Sequence, residues 1–343
     1  MNLKDFLYEL PREAIARYPA EQREDSRLMV VPRRGGPHRH SAIRQLPDEL
    51  RSGDLLVVND TRVLPWRLFG NRLSGGKVEI LLVREEAEGL YRAMVSANHP
   101  LPEGEQIRFQ GGLEATLGPP GHERALHFSD AANLSEWLEK EGELPIPPYL
   151  NRREESVDRE RYQTVFARNP GAIAAPTAGL HFSAALNREL ESRGVGFAFL
   201  TLHVGPGTFC PVKSERIENH EMDSEAYFLS AKAASKIEKT RCAGGRVIAV
   251  GTTVVRVLET VAKEREGDET WAGEATGETR LFILPGHSFR LVDGLLTNFH
   301  LPGSTLLMLV AAFAGRERIL EAYRLARDAS YRFYSYGDAM LII

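Results

Sequence analysis

Runs of apolar and polar positions divide the chain into two kinds of text. From Gly53, GDLLVVNDTRVLPWRLFG gives an apolar strand, LLVV, that stops at a polar NDTR turn and resumes as a second short extended run. Residues 76 to 130 then alternate short β-like runs (KVEILLV, LYRAMVS, EQIRFQ, LEATLG, ALHFS) with Gly and Pro turns about every 10 residues. That spacing predicts a small antiparallel barrel.

A helix is expected over Asn133 to Lys140, followed by GELPIPPYLNR, which is too proline-rich for a helix or a central strand and reads as a rigid extended connector. Beyond it the pattern becomes helix, strand, helix, strand: SAALNRELESRG, GFAFLTLHVG, SAKAASKIEKTRCAGG and RVIAVGTTVVRVLETVAKE. Such alternation indicates an α/β layer sandwich, and the continuously apolar RVIAV indicates a strand covered on both faces. The expected fold is therefore α/β: a layered, discontinuous main domain of residues 1–67 and 150–343, with a small antiparallel β-barrel domain, 68–149, inserted in it. The opening MNLKDFLYELPREAIARYP reads as a short amphipathic helix interrupted by charges and prolines.

Composition adds boundaries to this picture. The 343 residues suit two domains, and 43% hydrophobic residues can fill their cores. The most apolar stretch, TLLMLVAAFAG, covers 11 residues, too few to cross a membrane, and the N-terminus lacks the apolar run of a signal peptide. Cys210 and Cys242 are the only cysteines and form neither a CxxC motif nor a disulfide framework, so a cytoplasmic location is expected. The net charge of −4 argues against a general polyanion binder. Residues 1 to 72 nevertheless hold 13 Lys or Arg against 10 Asp or Glu, which leaves room for a local basic face.

Four polar clusters fall at strand ends or in loops, where an open α/β sheet binds ligands: AAPTAGLHF, TLHVGPGTF, HEMDSE and TNFHLPGST. Each carries a histidine: His181, His203, His220 and His300. His181 follows a Pro-Thr-Ala-Gly turn and precedes a helix with Ser183 as expected N-cap. The Gly-Pro-Gly-Thr after His203 suits a tight loop close to a ligand. His220 and Glu225 flank Asp223, yet no HExxH or paired-Cys spacing supports a metal, and none is expected. Arg62 and Arg256 can grip a carboxylate or phosphate through a bidentate fork, and Thr252 and Thr253 sit at a strand-to-helix turn that can hold an anion. The aromatic YRFYSYGDAML can stack a base, although core packing is the commoner use.

The phrases GDLLVVNDTRVLPWRL, GKVEILL, GELPIPPYL, DRERYQTVFA, AAPTAGLHF, TLHVGPGTF, GTTVVRVLE, TNFHLPGSTLLMLVAAFAG and YRFYSYGDAML run in order over nearly the whole chain. Together they closely resemble the S-adenosylmethionine:tRNA ribosyltransferase-isomerase family. The resemblance implies a monomer that moves the ribosyl group of S-adenosylmethionine onto 7-aminomethyl-7-deazaguanine at the tRNA wobble position, giving epoxyqueuosine, adenine and methionine. The partners it implies are S-adenosylmethionine and the tRNA anticodon loop; S-adenosylmethionine is consumed as a substrate, so no cofactor is expected.

On the matching motifs, His181 and His203 are the leading catalytic candidates. Substrate contacts are expected from Asn59, Asp60, Arg62 and Arg67 in the first motif, from Thr177, Gly179 and Phe182, and from Gly205 and Phe209. Thr252, Thr253 and Arg256, then Asn298, His300 and Tyr336, complete the set. Two positions depart from the family pattern: Asp223 replaces a histidine of HxMHxE, and Trp66 replaces an alanine before Arg67.

The implied chemistry makes three demands. An accepting amine with a lysine-like pKa must lose a proton, at about 4.6 kcal/mol near pH 7, so the pocket must desolvate it or supply a base. The sulfonium must be held without being quenched, a task for aromatic faces such as Phe182, Phe209 and Tyr336. A wobble base must be turned outward from a folded RNA, with Arg62 and Arg67 on the loop phosphates. Two other classes compete: a metal-dependent hydrolase built on His181, His203, His220 and His300, and a non-catalytic RNA-binding module.

Overall fold

The computed structural model describes residues 1–209, 212, 214–267 and 272–343. In chain order its strands are β1 (Arg27–Val31), β2 (Arg39–Ala42), β3 (Leu55–Asn59), β4 (Thr61–Val63), β5 (Arg67–Arg72), β6 (Lys77–Ala87), β7 (Leu90–Ala97), β8 (Gln106–Arg108), β9 (Glu114–Leu117) and β10 (Arg124–Phe128). They continue as β11 (Asn169–Ala172), β12 (Gly196–Leu202), β13 (Glu225–Leu229), β14 (Val247–Val250), β15 (Ala275–Thr279), β16 (Gly294–Asn298) and β17 (Ala339–Ile342).

Nine of these form one sheet, in the order β15-β13-β12-β3-β14-β16-β17-β1-β2. Its centre, β12-β3-β14-β16, is parallel. Both faces are buried, and the alternation within each strand shows it. Leu55 and Val57 of β3 enter one core with Val247 and Ala249 of β14, whereas Leu56, Val58, Ile248 and Val250 enter the core on the opposite face. The continuous apolar runs of the sequence follow from this double burial. Helices Thr252–Glu264 and Thr305–Ala314 cover the first face and helix Ala184–Ser192 the second. Ser183 caps the last of these by accepting the Leu186 N–H at 3.0 Å, as its position in the sequence suggests.

The barrel is closed and antiparallel, in the order β10-β7-β6-β5-β8-β9. Five of its strands are the five short runs of the sequence; the sixth, β5, comes from the extended run after NDTR. Arg67, placed with the layered part by the sequence reading, is the first residue of β5. Arg67 and Glu143 exchange backbone hydrogen bonds at 3.0 and 2.9 Å, tying the chain's entry into the barrel to its exit. The approach is tight: a Cβ on Gly142 would fall inside contact distance of the Pro65 carbonyl oxygen.

One element differs from expectation. The N-terminal segment is not an amphipathic helix but two short 3-10 turns, Leu3–Phe6 and Arg12–Ala14. Pro11 interrupts any longer helix. Tertiary contacts supply the missing order: Phe6 is fully buried, and the Tyr8 hydroxyl donates to the His300 carbonyl at 2.5 Å. Among the described residues no helix is long and apolar enough to cross a membrane.

Candidate functional site

The carboxyl ends of β14 and β16 open into a cavity of about 320 Å³. After β14 the chain turns at Gly251, whose φ of +97° is a left-handed value that suits glycine, and enters the helix that presents Thr252 and Thr253 to the cavity. The last residues of β16 and the turn after it, 297–304, supply the floor, with Asn298 and His300. Thr177 comes from the 3-10 turn Thr177–His181, and Tyr149, Tyr162 and Tyr334 supply aromatic walls. Among the described residues no Asp, Glu, Lys or Arg lines it.

Asn298 organises this floor. Its amide donates to the Tyr334 carbonyl at 3.0 Å and lies 3.2 Å from His181 Nε2, while its Oδ1 is buried with no hydrogen-bond partner among the described residues. Burial, helped by the Arg332 and Arg23 guanidiniums, pushes the His181 pKa down to about 3. The imidazole is therefore neutral at pH 7, and its Nε2 can accept the Asn298 N–H. His300, lowered to about 3 by burial alone, has its Nε2 at 2.8 Å from the Thr297 hydroxyl. Both histidines are fixed, neutral groups.

A second polar group sits at the ends of β3 and β12. Asn59 accepts the backbone N–H of Thr61 and of Leu202, each at 3.1 Å, and donates to Thr253 Oγ1 at 3.4 Å, which joins this group to the cavity wall. Asp60 accepts from the Thr201 hydroxyl at 2.7 Å and from Asn169 at 3.0 Å. His203 Nδ1 is 2.8 Å from the Thr61 hydroxyl; burial lowers its pKa, and the Asp60 charge opposes that shift. The ring lies on Gly171, where an added Cβ would come within 2.7 Å of Nδ1.

The remaining sequence candidates are engaged elsewhere. Arg256 is in a buried ion pair with Glu225 and donates to the Leu281 and Thr279 carbonyls, each at 3.2 Å. Glu225 in turn accepts the Gly205 N–H at 2.9 Å, so this pair anchors the Gly-Pro-Gly loop from behind. Phe182 is fully buried in an aromatic cluster with Phe166 and Phe197 and does not line the cavity. The Tyr336 hydroxyl donates to Asp158 at 2.6 Å, within a bidentate Arg152–Asp158 pair. Gly179 is needed for packing, since a Cβ would lie 2.9 Å from Thr164. Arg62 pairs with Glu139 at 3.1 Å and Arg67 with Glu79 at 2.8 Å. The Phe209 side chain and Cys210 lie outside the described residues. Trp66 packs edge-on against Tyr91 of the barrel, and the Asp223 carboxylate lies beside Gly207. Among the described residues no three His, Cys, Asp or Glu side chains converge as a metal site would require.

Sequence reasoning missed the cavity's tyrosines. Tyr149 lies in the segment read as a connector, and Tyr334 stands two positions before the tyrosine chosen. Their rings are 4.2 Å apart between centroids, and Tyr334 takes a left-handed φ of +75°, unusual for a bulky residue.

The queuosine biosynthesis protein family matches residues 3–342. The chain belongs to that family. Members similar to it include the S-adenosylmethionine:tRNA ribosyltransferase-isomerase of Pelobacter propionicus, 51% identical over the whole of both chains. A protein of the same name from Xylella fastidiosa is 50% identical over all of this chain and 97% of its own. Among solved structures, the S-adenosylmethionine tRNA ribosyltransferase of Thermotoga maritima is 36% identical, with a TM-score of 0.57, covering 99% of this chain and 100% of its own.

Proposed function

We propose that this ribosyltransferase-isomerase takes the ribosyl group from S-adenosylmethionine and isomerises it onto the aminomethyl group of 7-aminomethyl-7-deazaguanine at the tRNA wobble position. The products are epoxyqueuosine-tRNA, adenine and methionine. In bond terms, the neutral amine exchanges an N–H for a bond to a carbon of the ribosyl unit, the sulfonium C–S bond breaks to release methionine, and the glycosidic bond breaks to release adenine. The five-carbon unit gives up one C–H proton and closes through a new C–C bond into a ring in which the former ring oxygen bridges two carbons as the epoxide; of the two protons shed by nitrogen and carbon, adenine keeps one. S-adenosylmethionine is a substrate in this reading, and no cofactor is required.

The observation that carries the proposal is a cavity with aromatic walls and, among the described residues, no charged lining and a buried acceptor on Asn298 without a partner. Ring faces and carbonyl dipoles hold a sulfonium cation without pairing it to a carboxylate. A site without carboxylates also disfavours the ammonium form of an entering amine, so desolvation itself helps to free the nucleophilic lone pair. His181 is a poor general base here because its pKa near 3 leaves little driving force for taking a proton. His203 is lowered less by its surroundings, with Asp60 opposing the shift, but like His181 it stands behind the cavity wall, so desolvation carries the amine activation in this reading.

The test incubates the protein with labelled S-adenosylmethionine and tRNA bearing the aminomethyl deazaguanine. Free adenine and ribosylated tRNA are expected together. Methylated tRNA with S-adenosylhomocysteine would overturn the reading.

A further inference from the structure

The surface arginines of this protein fall into two groups, those paired with carboxylates and those that are not. On the barrel, Arg72 pairs with Glu105, Arg84 with Glu123, Arg92 with Glu86 and Arg108 with Glu114. Beside the cavity both arrangements occur: Arg152 pairs with Asp158 and Arg159 with Glu154, whereas four others are held differently. Arg17, Arg23, Arg161 and Arg332 direct their guanidiniums to backbone carbonyls, and none of them forms an ion pair among the described residues.

Arg17 donates to the carbonyls of Leu150 at 3.1 Å and Asn151 at 3.2 Å, next to the cavity-lining Tyr149. Arg23 donates to Leu180 at 3.0 Å, in the same turn as Thr177, and to Glu160 at 2.9 Å. Arg332 donates to the carbonyl of Tyr336, which follows cavity-lining Ser335, and to that of Tyr18 at 3.4 Å. Arg161 donates to the Glu21 carbonyl at 2.9 Å, while its Nε is buried and has no partner among the described residues.

A carbonyl fixes a guanidinium without cancelling its charge. These four groups are therefore oriented cations, and the proximity of Arg161 contributes, after burial, to lowering the Arg23 pKa. Glu21, Glu155 and Glu160 on the same segments moderate the field; Glu155 accepts the Tyr18 hydroxyl and Glu160 opposes the shift at Arg23. Fixed guanidiniums with spare N–H groups suit phosphate oxygens, which accept the fork and supply the missing charge.

We propose that Arg17, Arg23, Arg161 and Arg332 form the phosphate-contacting surface on which the RNA substrate docks, at the rim of the cavity that receives its reacting base. The identity of that RNA rests on the proposed function; the surface rests on the arginine geometry. It also borders the cavity, because the carbonyls of Leu150, Leu180 and Tyr336 that it holds follow the cavity-lining residues Tyr149, Thr177 and Ser335 in the chain.

The experiment measures tRNA binding as a function of KCl concentration for the wild type, Arg17→Gln, Arg17→Lys, Arg332→Gln and the ion-paired barrel control Arg108→Gln. Each Gln substitution at the rim should weaken binding by roughly threefold to tenfold and lower the log–log salt slope by about 0.7 per lost phosphate contact. Arg17→Lys, which keeps the charge, should retain the wild-type slope, and Arg108→Gln should do the same. Wild-type slopes in both rim Gln variants, or an equal loss in Arg108→Gln, would overturn the proposal. Wild-type protein that binds tRNA but releases no adenine would sink the reaction and leave the docking surface standing. Adenine release with unaltered salt slopes at the rim would do the reverse.

Discussion

The barrel and the sheet solve the same packing problem with different materials. Among the described residues of the barrel strands, Arg124 is the one buried polar side chain, and it is satisfied by the carbonyls of Leu101, Pro102 and Gly118. The sheet instead buries Asn59, Asp60, Thr61, Thr201, Thr252, Thr297, Asn298 and His300 around the carboxyl ends of its central strands. Burying polar groups costs free energy unless each finds a partner, so a fold needing only stability has little reason to collect them in one place. The contrast supports the proposal that the carboxyl ends of the central strands are the working region. The surface arginines differ too: Arg72, Arg84, Arg92 and Arg108 of the barrel pair with carboxylates, whereas Arg17, Arg23, Arg161 and Arg332 beside the cavity bond to carbonyls.

The largest effect that would test this division is on the pair behind the Gly205 loop. Glu225→Ala leaves Arg256 buried and unpaired, and should destabilise the fold by about 3–5 kcal/mol in urea titration. A loss below about 1 kcal/mol would show that the pair is not desolvated. Next, Leu126→Ala in the barrel core should cost about 2–5 kcal/mol while leaving adenine release per folded molecule unchanged. Loss of turnover at full folding would place the barrel within the chemistry.

A smaller, graded effect should come from acid. His181 and His300 have pKa values near 3 in the folded state against 6.5 for the free side chain. Between those limits the unfolded chain binds more protons, so stability is fully present above pH 6.5 and falls as pH drops toward 3. Each histidine contributes a slope of at most about 1.4 kcal/mol per pH unit. Unfolding midpoints at pH 7 and pH 5 measure this loss, and His300→Gln should reduce it. An unchanged difference between the two pH values would show that His300 does not titrate as its burial requires.

Much of this molecule is legible in its sequence because period and punctuation are local. Continuous apolar strands, the Gly and Pro turns of the barrel and the Ser183 cap need no knowledge of distant residues. The cavity was partly legible for the same reason: Thr177, Thr252, Thr253, Asn298 and His300 sit in motifs at strand ends or turns, and all five line it. What was hidden depends on contacts between distant segments. Tyr149 reaches the cavity because its connector folds against residue 334, 185 positions later in the chain. Tyr336 and Phe182 look like ligand-facing aromatics until Asp158 and Phe166 are brought beside them. Arg256 has the sequence setting of an anion anchor, and only the antiparallel placement of β13 reveals Glu225 as its partner.

In the proposed function the cavity floor around Asn298 carries the reaction. The most direct test of that role is the tRNA-dependent release of adenine by Asn298→Ala, normalised to folded protein. Removing the amide withdraws the hydrogen bonds it makes and the acceptor available to substrate, so kcat/KM should fall by about tenfold to a hundredfold. A folded Asn298→Ala protein within about twofold of wild type would contradict the assignment, since a lost hydrogen bond to the reacting substrate costs more than that.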